Sequence, residues 1–82
     1  MTLEQFKYLR HSNKTATIWN QGEHIASRID GIFSVTLWQL GAFYVEIYFN
    51  ILKGKITAFE SFENVNRLDP YLEHINISGL FS

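Results

Sequence analysis

The chain has 82 residues, a formal net charge of −1 and no cysteine. Its length fits one domain, 1–82, that buries about 60–65% of the surface of its unfolded form. Without cysteine there are no disulfides and no thiolate metal sites. Stability must then come from a dense aromatic core, for which seven Phe, four Tyr and two Trp are available, or from a second subunit. The seven Lys and Arg are scattered, and no basic stripe is present to neutralise phosphates, so no nucleic-acid partner is expected. No apolar run approaches the ~18 residues of a membrane span, and residues 1–7 have no apolar signal-peptide region. These features predict a cytoplasmic protein with no membrane partner.

Thr2 and Gln5 have capping-box spacing, and Leu3, Phe6 and Leu9 make a short amphipathic helix. Residues 13–21 admit two readings. Asn13 would cap a helix carrying Ala16, Ile18 and Trp19 and ending with Gly22 at C′, whereas Thr15, Thr17, Ile18 and Trp19 favour a strand. The helix is preferred. From Glu23 the apolar period becomes two. Asp30-Gly31 predicts a two-residue hairpin with positive φ at both positions, and Gly41-Ala42 suits a type II′ turn. Lys53-Gly54 closes a third hairpin whose loop length, and hence register, stays open. Four strands follow, at about 23–30, 32–40, 43–51 and 55–62, in antiparallel up-and-down order. Asp69 as N-cap and Pro70 at N1 start a C-terminal helix, with Tyr71, Leu72 and Ile75 on its buried side. Ile77, Leu80 and Phe81 are expected to tie the tail down.

These turns pair Ile29 with Ile32, Ser27 with Ser34, Ile25 with Thr36 and His24 with Leu37, and then Leu40 with Phe43 and Leu37 with Glu46. By alternation one face collects Ile25, Ile29, Thr36, Trp38, Leu40, Phe43, Val45, Ile47 and Phe49. This is the predicted core, to be covered by the terminal helices. The other face collects Ala26, Arg28, Phe33, Val35, Leu37, Gln39, Tyr44, Glu46 and Tyr48. It is too apolar for a solvated surface, which marks it as an interface, a groove, or a face that the second half of the chain covers.

Little in the chain points to catalysis or a cofactor. His11, His24 and His74 lack metal-ligand spacing. His24 and Glu46 share a predicted row but stand about 10 Å apart with Leu37 between them. A three-residue loop at 52–54 would set Glu60 opposite Glu46, as carboxylates that perturb each other. The other loop length would place Ser61 there. Ser34, Ser61 and Ser78 have no nucleophile-elbow context, and Asn76-Ile77-Ser78 is a glycosylation triplet without a secretory signal. Tyr44 and Tyr48 resemble a base-stacking platform, but Glu46 between them supplies the wrong charge. The reading gives no catalytic residue, no metal and no cofactor.

Ile18-Trp-Asn-Gln-Gly22 with Ile25-Ala-Ser-Arg28, then Phe43-Tyr-Val-Glu-Ile-Tyr-Phe49, then Ser61-Phe62 leading to Leu68-Asp-Pro-Tyr-Leu72, form an ordered set. It resembles a group of short bacterial proteins of unknown function that share aliphatic-Trp-x-x-Gly, Phe-x-Val-Glu-Val-Tyr-Tyr-like and Leu-x-Pro-Tyr-Leu elements. The resemblance spans most of the chain after residue 12. It implies a helix ending at Gly22, and no activity or site residue. Residues 51–54 depart from the pattern, in which acidic residues are expected.

The fold class expected is therefore α+β: a four-stranded antiparallel β-meander with N-terminal helical segments and a short C-terminal helix. The expected function is non-enzymatic. It is association, as a homodimer or with another protein, through Arg28, Phe33, Val35, Leu37, Tyr44, Glu46 and Tyr48. The alternative is a small-molecule or peptide pocket at the same face.

Overall fold

The capping box forms at Thr2: the Gln5 N–H donates to Thr2 Oγ1 at 3.1 Å, and the Thr2 N–H donates to Gln5 Oε1 at 2.8 Å. In the computed structural model, which describes residues 1–72, this box opens helix α1, Leu3–Lys7. Helix α2, His11–Gln21, follows, so 13–21 is helical. Its start lies ahead of Asn13. Arg10 is the extended N-cap and contributes no side-chain bond, which removes Asn13 from the capping role.

Gly22 ends α2, but not in the left-handed conformation expected. Its φ and ψ are −82° and 158°. Glycine is needed here for space. A Cβ on Gly22 would stand 2.6 Å from the Ile18 carbonyl oxygen, to which the Gly22 N–H donates at 2.8 Å.

Strands β1 (Glu23–Asp30), β2 (Phe33–Leu40), β3 (Phe43–Asn50) and β4 (Lys55–Phe62) form one antiparallel sheet in the order β1-β2-β3-β4. The Gly41-Ala42 turn is as expected, with Leu40 opposite Phe43 and φ of 66° at Gly41. The first turn differs. Its central residues are Gly31 and Ile32, Asp30 pairs with Phe33, and only Gly31 has positive φ, 61°. Positive φ confined to the first central residue is the II′ arrangement and needs one glycine rather than two permissive residues. Moving a two-residue loop by one position shifts both strand ends together, so every side chain keeps its face.

A bulge between His24 and Ala26 resets the pairing, and His24 comes opposite Trp38 instead of Leu37. His24 therefore leaves the row of Glu46, and its ring meets Trp38 edge-on at 5.1 Å. The third hairpin has Asn50 opposite Lys55 around residues 51–54. Asn50 organises it by accepting the Lys53 N–H on Oδ1 at 2.9 Å. A second bulge, at Thr57 of β4 opposite the consecutive residues Tyr48 and Phe49, then brings Glu60 opposite Glu46. Both border strands of the sheet, β1 and β4, are thus bulged.

Each face packs its own cluster. On the first, Phe6 of α1 and Ile18 of α2 are buried with Leu40, Phe43, Val45 and Ile47. Phe6 reaches the Phe43 ring at 5.8 Å. On the second, Val35, Leu37, Phe62 and Tyr71 are buried, flanked by Phe33, Tyr44, Tyr48 and Leu68. This layer comes from a 3-10 turn, Val65–Leu68, and a helical turn α3, Asp69–Leu72. Its cap is Asn64, whose Oδ1 accepts the Asn66 N–H at 2.9 Å. Asp69 is itself helical, with φ −50° and ψ −44°, so it is not the expected N-cap. His74, Ile75, Asn76, Ile77, Ser78, Leu80 and Phe81 lie outside the described residues.

Candidate functional site

The second face is organised around Glu46, the central even residue of β3. It projects between Leu37 of β2 and Glu60 of β4, and its side chain is only 3% exposed. Burying a charge is costly unless partners surround it, and here they come from three directions. The Tyr71 hydroxyl donates to Glu46 Oε2 at 2.6 Å. Arg28, two strands away, donates from NH2 to the same oxygen at 3.3 Å. Arg67, from the 3-10 turn, stands 3.6 Å from Oε1.

Arg28 also reaches the Tyr48 hydroxyl at 3.4 Å and Asp30 at 3.4 Å. Its guanidinium lies over the Tyr71 ring at 5.3 Å, and that of Arg67 lies over Phe62 at 5.0 Å. Burial alone would lower the Arg28 pKa, but the contacts with Tyr71 and Glu46 outweigh it and the guanidinium is held more firmly charged. Tyr71 is pushed upward by burial and by the Glu46 carboxylate. Tyr48 moves the same way for the same two reasons, opposed by Arg28.

Both Glu46 oxygens are engaged from within the chain, so the arrangement binds the 65–72 segment to the sheet. Glu60, directly opposite, is exposed. No group of three or more His, Asp or Glu could hold a metal among the described residues, and no helix there is long and apolar enough to cross a membrane.

Of the alternatives the sequence leaves open for this face, the structure shows the one in which the second half of the chain covers it. All seven candidates, Arg28, Phe33, Val35, Leu37, Tyr44, Glu46 and Tyr48, do share it. However, Val35, Leu37 and Glu46 are buried beneath the chain's own C-terminal segment, and Arg28, Phe33, Tyr44 and Tyr48 are half-buried. The face is a second core. Sequence reasoning missed Tyr71, Arg67 and Phe62 as partners of Glu46 and its neighbours. The available signal was a tyrosine flanked by leucines at 68–72, the only described aromatic beyond Phe62.

The other face is less completely covered than its composition predicts. Helices α1 and α2 pack on the half containing Leu40, Phe43 and Val45. At the opposite end, Ile29, Ser34, Phe49 and Ile56 make one cross-strand row, in which Ile29 is 65% and Phe49 38% exposed. Ile25, expected in the core, is the bulge residue and is also exposed. The β1–β2 turn and the β3–β4 loop meet at this end through the Ile51 N–H, which donates to the Ile32 carbonyl at 2.8 Å. Ile32, Ile51 and Leu52 are exposed there too, Leu52 to 79%.

The best-formed cleft among the described residues is elsewhere. It measures about 220 Å³, lies between α1 and the β2–β3 turn, and is lined by Met1, Thr2, Leu3, Ala42, Phe43 and Glu63. That is below the ~300 Å³ at which ligand pockets begin, and none of the seven candidates lines it. No protein family model, curated protein or solved structure matches the chain.

Proposed function

We propose that this protein is a non-catalytic association domain, and that its docking surface is the open end of the sheet rather than the tyrosine face. One observation carries the reading: Ile29, Ile32, Phe49, Ile51 and Leu52 gather at one end of the sheet with large exposed fractions. Contiguous exposed apolar groups rimmed by polar ones are characteristic of interaction sites. Among the described residues, the buried Glu46 and Tyr71 and the largely buried Arg28, by contrast, hold the chain to itself.

The paired variants Ile29→Lys and Leu52→Lys test it. Side chains that serve docking, not folding, are replaced at little cost, within about 0.5 kcal/mol of wild type. Compared at a concentration dilute enough for the chain to be monomeric, the variants should unfold at the wild-type urea midpoint and lose the wild-type binding of an environment-sensitive apolar dye. A large fall in the urea midpoint would place these residues in the fold and remove the reading.

A further inference from the structure

The end row of the sheet carries charges of both signs. Asp30 pairs with Phe33, Phe33 with Asn50, and Asn50 with Lys55. Acid and base therefore terminate one row on opposite borders, about 14 Å apart at a strand spacing of 4.7–4.9 Å. By alternation this row projects on the side of Phe33 and Tyr48, and Ile29 and Phe49 project on the other, so only the turns at the very end of the sheet are shared by both. Lys53, in the loop, adds a second positive charge on the β4 side. Between the two signs lie the exposed apolar residues of the turns, Ile32, Ile51 and Leu52.

Arg28 is largely buried and divided between Asp30 and Glu46, while the Asp30 side chain is 63% exposed. The end of the sheet therefore presents acid at one border, apolar turns in the middle and base at the other, and is complementary to itself under a two-fold rotation about the sheet normal. The rotation reverses the row, sets Asp30 of each copy against Lys55 of the other and joins the apolar centres. We infer that the occupant of the open end is a second copy of this chain, docked in this reversed-row dimer. The inference rests on the association reading above and names its partner.

Edge-to-edge pairing is disfavoured as a route to the same stoichiometry. Both border strands carry bulges, which interrupt the regular ladder that a further strand requires. The end-row docking needs neither border.

Charge reversal tests the arrangement by sedimentation velocity over a dilution series. Wild type is expected at twice the monomer mass. Asp30→Lys alone, or Lys55→Asp alone, puts like charges together at both contacts and should weaken the dimer on the order of tenfold or more. Mixing the two single variants restores opposite charges at both contacts, and heterodimers should form at near wild-type affinity. The same recovery is expected when both substitutions are placed in one chain. Because Asp30 also touches Arg28 at 3.4 Å, Lys55→Asp is the cleaner single variant.

A wild-type dimer indifferent to both reversals would overturn the reversed-row geometry. A strictly monomeric wild type would overturn the inference. If Leu52→Lys still abolished dye binding at an unchanged urea midpoint, the association reading would survive that result. If it did not, both would fall together.

Discussion

The hydroxyl of Tyr71 lies 2.6 Å from Glu46 Oε2, linking the last described helical turn to the middle of the central strand. This bond closes the second face. It should be the most sensitive single contact between the 65–72 segment and the sheet. Tyr71→Phe removes the donor while preserving the buried ring. Hydrogen bonds to charged groups contribute about 1.5–3 kcal/mol, and chemical unfolding should show a loss of that size. Glu46→Gln should cost more, about 3–5 kcal/mol, because it breaks a buried ion pair and leaves the largely buried Arg28 with only the exposed carboxylate of Asp30. Removing Arg67, half exposed at 3.6 Å, should cost no more than about 1 kcal/mol.

The same bond predicts an alkaline limit. Tyr71 and Tyr48 both have pKa values raised above 10.0 in the fold. At a pH above the unfolded tyrosine value, the unfolded chain has lost protons that the native state keeps, so stability falls as pH rises. The contribution is intact below pH 10 and drains away as pH climbs toward the raised native values. Urea midpoints measured in steps from neutral pH upward should decline once pH passes about 10. In Tyr71→Phe the decline should be shallower but still present, because Tyr48 has the same sign.

Gly22 and Gly31 should respond to alanine for different reasons. At Gly22 the backbone suits any residue, but a Cβ would meet the Ile18 carbonyl at 2.6 Å. Ile18 is fully buried and cannot move aside, so Gly22→Ala should cost about 1–3 kcal/mol, as overpacking does. At Gly31 the space is open but φ is 61°, and Gly31→Ala should cost about 1–2 kcal/mol from the left-handed backbone alone. Crystal structures of the two variants would separate the cases. The first should show α2 displaced from β1, and the second an unmoved or re-formed turn.

The sheet was legible because its turns announce themselves. Gly41-Ala42 fixes the β2–β3 register without help, and the period-two pattern of Phe43 to Phe49 assigns every side chain to its face. Asp30-Gly31 misled by one position, since the dipeptide favours a turn with two positive φ values while one glycine followed by Ile32 was enough. The Tyr71–Glu46 bond was not legible. It depends on a 3-10 turn capped at Asn64 that redirects the chain, and nothing local to either residue encodes the meeting. The open end of the first face was hidden for a related reason. Composition shows that Ile29 and Phe49 alternate with the core positions, but how far a helix reaches depends on its packing angle, which no single residue specifies.

The bulges at Ile25 and Thr57 bear on how this protein behaves when crowded. A meander rich in β-branched and aromatic residues is a natural template for fibre growth, in which each new chain adds a strand to the last. Here each border departs from regular pairing at an internal position, so an incoming strand finds no uninterrupted ladder on either side. Concentrated solutions should accordingly remain free of cross-β order. A protein that leaves apolar side chains exposed at the end of its sheet has thereby made its flanks poor places to polymerise.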